Sequence, residues 1–138
     1  MKKHTVVLVD GENISAKRAD EILSATDRLG YVSERKVYHR QKDPSTRPWT
    51  EKTKTHPYKD ICLFGEPEKD KVDRKMQKDA RQYLKSPQVG TVCVVTSDAG
   101  FRCLAEDAKV SGKKLCIIGE KKAPKRLRLA GSQFIELS

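Results

Sequence analysis

The stretch VVLVDGENIS, Val6 to Ser15, runs four apolar residues straight into Asp10 and follows them with a glycine, a second acid and an asparagine. A β-branched apolar run bounded by a turn signal reads as a buried strand. Its final carboxylate either caps the next turn or belongs to a site. Outward from this strand (Thr5–Val9) the chain alternates. A helix follows from about Ile14 to Leu29, closed by Gly30, and then a strand over Ser33–Tyr38. Gln41–Lys59 carries Pro44, Pro48 and Pro57 and reads as a long loop before a short strand, Asp60–Phe64. Lys69–Lys85 is a helix ending before Pro87, and Gly90–Thr96 is the clearest buried strand. A helix over Gly100–Val110, stopped by Gly112, leads to a strand over Lys114–Ile118. A short helical turn after the basic Glu120–Arg128 stretch precedes the last strand, Gln133–Leu137. Strands separated by helices predict one α/β domain over residues 1–138, with a mostly parallel sheet covered on both faces. Ligands in such folds gather at the carboxyl ends of strands, near the reversal in strand order. Asp10 and Asp98 both fall at strand ends of that kind.

The bulk composition bounds the partners. With 29 Lys and Arg against 19 Asp and Glu, the net charge is +10, an excess that concentrates polyanions by a sequence-independent term. No stretch approaches the roughly 18 apolar residues of a membrane span, so no membrane partner is expected. The apolar run before Asp10 is too short for a signal-peptide core. Cys62, Cys93, Cys103 and Cys116 are widely spaced without a C-x-x-C pair. That pattern predicts reduced thiols in a cytoplasmic protein and no zinc site.

The helix KDKVDRKMQKDARQYLK sharpens the question. At 100° per residue Val72, Met76, Ala80, Tyr83 and Leu84 form one apolar stripe. Asp79 falls inside that stripe, and Asp73 lies on the same side in the first turn. A carboxylate on a buried face is costly unless paired, hydrogen-bonded or metal-bound. A helix-dipole contact for Asp73 and an internal salt bridge for Asp79 would each suffice alone. Together with Asp10 and Asp98, four acids converge in a basic chain. That constellation favours a hard divalent cation with oxygen ligands, Mg²⁺ or Mn²⁺.

Three blocks, VVLVDGENI, KVDRKMQKDA and VVTSDAGFRCLAEDAKVSGKKLCIIG, with the closing GSQFIEL, resemble the NYN domain family, a branch of the PIN-like nucleases. The resemblance implies a three-layer α/β/α PIN-like (Rossmann-like) fold and a metal-dependent endoribonuclease. It implies metal ligands at Asp10, Asp73 and Asp98, with Asn13 orienting the first loop and Asp79 supporting the site. One or two Mg²⁺ or Mn²⁺ ions would then activate water for in-line attack on a phosphodiester. The hydroxyls of Thr96 and Ser97 would contact a metal-bound water or the scissile phosphate, or simply finish a strand end. The chain departs from the family pattern at Gly100, where a second Asp is expected. A missing carboxylate weakens metal affinity, and Glu12 is the nearby acid that would compensate unless it points to solvent.

Two basic segments offer a path for single-stranded RNA. The loop over 41–59 holds Arg47, Trp49, Lys52 and Lys54, and aromatics set among cations are how single strands are held. Trp49 itself reads more readily as a plug pinning the loop to the body. Lys121, Lys122, Lys125 and Arg126 follow a strand end on the expected site edge and would track phosphates. His39 is either a general acid or, preferably, a strand-end residue. A second class of function is a degraded module that binds RNA or a regulatory protein without cleavage. A third, an aspartyl-phosphate phosphatase or receiver, wants acids where this chain lacks them. The sequence leaves a homodimer open.

Overall fold

The structure, a computed structural model, describes residues 3–41, 43–65 and 70–138. Its elements are β1 (His4–Asp10), α1 (Ala19–Asp27), β2 (Val32–Arg40), α2 (Arg47–Thr55), β3 (Lys59–Leu63) and α3 (Lys71–Leu84). They continue with β4 (Val89–Val95), α4 (Leu104–Ser111), β5 (Lys114–Gly119), α5 (Lys125–Arg128) and β6 (Gln133–Glu136). The strands form one sheet in the order β3-β2-β1-β4-β5-β6, and every pairing is parallel. The chain works outward from β1 to β3, then crosses back to lay β4 on the other side of β1. The β1–β4 seam is therefore the reversal point of the sheet.

Alternation along the strands loads both faces, because successive side chains point to opposite sides. Val6, Leu8, Val92 and Val94 face α3 and α4, meeting Val72, Met76, Ala80, Leu84, Leu104 and Ala108. Val7, Val9, Cys93 and Val95 face the other way, under Ala19 and Ile22 of α1 and Trp49 of α2. The result is three layers, helices over sheet over helices. Among the described residues no helix is long and apolar enough to cross a membrane.

The expected loop over 41–59 is a correction: it contains α2. Pro44 opens a 3-10 turn capped by Asp43, and Pro48 sits in the first turn of α2. Proline is tolerated there because the first turn has no partner for its N–H. The stacking expectation for Trp49 is corrected as well. Its side chain is 1% exposed, its Nε1 donates to the Ile14 carbonyl at 2.7 Å, and its ring meets Tyr58 edge-on. That ring closes the α2 layer and offers no face to a base. Elsewhere the differences are at element ends. The first helix begins at Ala19 after a 3-10 turn capped by Ser15, and Ala99–Cys103 is a 3-10 turn leading into α4. The expected start of the third helix at Lys69 lies outside the described residues.

Candidate active site

Asp10 ends β1, and the turn after it is shaped by a close approach. The Gly11 N–H donates to the Tyr38 carbonyl at 2.9 Å, and a Cβ on Gly11 would lie 2.7 Å from that same oxygen. Glycine alone lets the chain press against β2 here. Asp10 then caps the turn it begins: its Oδ1 accepts the N–H groups of Glu12 and Asn13, each at 3.2 Å. Asp10 is 1% exposed. Burial pushes its carboxyl up to about 6, against the opposing pull of hydrogen bonds from Thr96, Glu12 and Asn13.

Beyond β4 the chain supplies Thr96, Ser97 and Asp98. Thr96 Oγ1 donates to Asp10 Oδ2 at 3.1 Å and accepts the Asp98 N–H at 3.1 Å. Ser97 Oγ accepts the Glu120 N–H at 3.0 Å, tying the end of β4 to the end of β5. Both hydroxyls hold the chain just past the end of β4. Asp98 in turn accepts the Gly100 N–H at 2.9 Å and caps the 3-10 turn before α4.

Asp73 enters from the first turn of α3, half-buried. Burial first, then the adjoining Asp98 side chain and the charges of Asp10 and Asp98, push its carboxyl up to about 8. A carboxyl raised in part by neighbouring carboxylates marks acids gathered in a small space. Among the described residues, however, no three Asp, Glu, His or Cys side chains stand close enough to cage an ion as they are. Charge is felt over a longer range than one ion can bridge, so the acids are neighbours without being a finished cage.

Asp79 lies apart from this group. Its Oδ2 accepts the Tyr38 hydroxyl at 2.6 Å and its Oδ1 pairs with Lys75 at 3.0 Å. It reaches the other acids only by fastening α3 to β2. Glu12 does not reach into solvent either: Arg40 Nε donates to it at 2.6 Å. That ion pair was invisible in sequence, because only the fold brings the turn after β1 beside the end of β2. His39 is buried between Asp60 and Thr46 as a strand-end residue.

The basic residues divide by position. Lys121, Lys122, Lys125 and Arg126 are exposed in the turn after β5 and on α5, at the edge that carries the acids, with Lys122 drawn 3.8 Å from Glu120. α2 starts after the carboxyl end of β2 and delivers the chain to the amino end of β3. Arg47 therefore lies toward the acids, while Lys52 and Lys54 lie toward the opposite edge, where Lys54 pairs with Glu51 at 3.2 Å.

The fold has a solved counterpart in the crystal structure of a protein of unknown function from Vibrio parahaemolyticus. The two superpose with a TM-score of 0.80 at 19% identity, over 99% of this chain and 94% of the other. No curated protein matches the chain. Residues 4–138 match the model of the NYN domain, essentially the full length of the fold just described, and the chain belongs to the NYN domain family.

Proposed function

We propose that this NYN domain is a metal-dependent ribonuclease that hydrolyses phosphodiester bonds of single-stranded RNA. The family suggests a PIN-like nuclease. The observation that carries the reading is the convergence of Asp10, Asp73 and Asp98 at the β1–β4 seam of a chain with net charge +10.

Asp10, Asp73 and Asp98 would hold the ion, and their hard oxygens suit Mg²⁺ or Mn²⁺. Asp73, pushed up to about 8 by burial and then by its acidic neighbours, keeps a proton at neutral pH for which a dication would compete. The bound ion would supply Lewis-acid stabilisation of charge developing on the phosphoryl oxygens. Thr96 and Asn13 hold Asp10 in place, and Asp79 holds the helix that carries Asp73. Lys121, Lys122, Lys125 and Arg126, with Arg47 across the same edge, would track the flanking phosphates. Lys52 and Lys54 are too far along α2 to join that path.

The reading is tested with labelled RNA and DNA, in Mn²⁺ or Mg²⁺ and in EDTA, on wild type and on Asp98→Asn. The expected outcome is metal-dependent cutting of RNA that the substitution abolishes while circular dichroism and melting stay unchanged. Equal cleavage by both proteins would point to a contaminant and end the proposal. Gly100, in the place of a family acid, favours the second reading of a binding module. Tight RNA binding with no metal-dependent cutting would decide for that module.

A further inference from the structure

Of three Phe, four Tyr and one Trp in the chain, two among the described residues are largely exposed, Tyr31 at 63% and Phe64 at 64%. Tyr31 precedes β2 at the amino edge of the sheet and stands edge-on to the His4 ring, centroids 5.0 Å apart. Phe64 directly follows β3 at the carboxyl edge, where Asp10 and Asp98 also lie. A single exposed phenylalanine is ordinary on a protein surface; what sets Phe64 apart is how its backbone is held.

Gln41 N–H donates to the Leu63 carbonyl at 2.8 Å, and Lys71 Nζ donates to the carbonyl of Phe64 itself. Gly65 follows with φ +102°, a left-handed conformation that turns the chain sharply away. Lys71 is the first residue of α3, two positions before Asp73. The helix start that brings Asp73 to the acids therefore also clamps the strand end that presents Phe64. β3 lies two strands from β1, so the strand end that carries Phe64 lies roughly 10 Å from the end of β1, about the span to a nucleotide adjoining the one at the acids.

We infer that Phe64 is a stacking platform for an unpaired nucleobase beside the phosphodiester bound at Asp10, Asp73 and Asp98. The inference rests on the nucleic-acid reading above and deepens it. The platform replaces the stacking that the buried Trp49 cannot supply. Stacking on a phenyl face needs a base freed from its duplex partner, so the platform selects single-stranded substrate. It is tolerant of base identity, because every base has a π-face.

The test is equilibrium binding of a fluorescein-labelled single-stranded RNA at low salt in EDTA, where no cleavage is required. Phe64→Ala should weaken binding about tenfold, within what one stacked base contributes, with an unchanged melting temperature because the side chain is exposed. Phe64→Trp should keep the affinity. An oligonucleotide abasic at the stacked position should bind wild type and Phe64→Ala alike. Wild-type affinity in the Ala variant, equal losses in Ala and Trp variants, or no RNA binding by wild type would each overturn the platform. So would an Ala variant whose only change is loss of a dimer in sedimentation, which would make Phe64 a protein contact. If cleavage is never seen but the Phe64 effect holds, the nuclease reading fails and the platform stands. Cleavage with no Phe64 effect removes the platform alone.

Discussion

Thr96 donates its hydroxyl to Asp10 Oδ2 at 3.1 Å, joining the end of β4 to the end of β1. Thr96 Oγ1 also accepts the Asp98 N–H, so one buried hydroxyl serves two acids at once. Thr96→Val keeps the shape and removes both bonds. It should cost about 1–3 kcal/mol, the range for leaving a buried donor or acceptor unsatisfied, and push the Asp10 carboxyl further up. Urea unfolding and an NMR titration of Asp10 read these effects. Thr96→Ser should restore most of both, and equal losses in the Ser and Val variants would show that the methyl group matters instead.

Stability should depend on pH in a particular direction. Asp10 and Asp73 are raised from the ordinary 3.8 to about 6 and about 8 in the folded protein. The folded state thus binds more protons than the unfolded one above pH 3.8. This contribution is full below that pH and is lost as pH rises through 6 and then 8. For fully buried Asp10 it is on the order of 3 kcal/mol. Melting in EDTA should therefore fall between pH 5 and pH 8, and Mn²⁺ should recover the loss at the upper end. A flat profile in EDTA would count against the acid cluster.

Gly100→Asp should return an acid to the site. A Cβ there stands 3.3 Å from Asp98 Oδ1, close enough that the turn must give slightly. The expected result is tighter Mn²⁺ binding by calorimetry and faster cleavage, with a lower melting temperature in EDTA from the added repulsion. Gly100→Asn should show the strain without the gain in affinity.

Tyr38→Phe separates a positioning contact from the acids themselves. The Tyr38 phenol is pushed well up by burial and by Asp79, to which it donates at 2.6 Å. Removing the oxygen leaves Asp79 with Lys75 alone, at a cost of about 1–3 kcal/mol in denaturant unfolding. Cleavage should fall less than in Asp98→Asn, because Asp79 touches none of the three converging acids.

Much of this was legible in the sequence because strand-ending acids and a breached apolar stripe are local patterns. VVLVD and VVTSD announce their carboxylates, and the wheel of α3 exposes Asp73 and Asp79 as misplaced. The wheel could not separate those two. Asp79 is answered by Tyr38, 41 residues away on β2, and no local pattern names such a partner. The α2 segment was misread because proline breaks a helix inside and starts one at its first turn, and composition does not say which. The preferred reading of Trp49 as a plug holds, and α2 supplies the reason: its ring has a layer to fill. Phe64 was hidden because DICLF reads as one short strand through Phe64, whereas β3 ends at Leu63 on an edge of the sheet.

The crossing at the centre of the sheet has a consequence for motion. Asp10 and Thr96 terminate strands whose neighbours, Val7, Leu8, Val9 and Val95, are wholly buried. Their amides should exchange with solvent only on global unfolding. Asp73 hangs from the first turn of a helix, where four N–H groups lack intrahelical partners and opening is cheap. Asp10 is thus fixed for as long as the molecule is folded, while Asp73 can leave and return many times within one folded lifetime. An ion caught between them would be released by that helical turn rather than by the sheet, so the pace of metal exchange would be set by the fraying of α3.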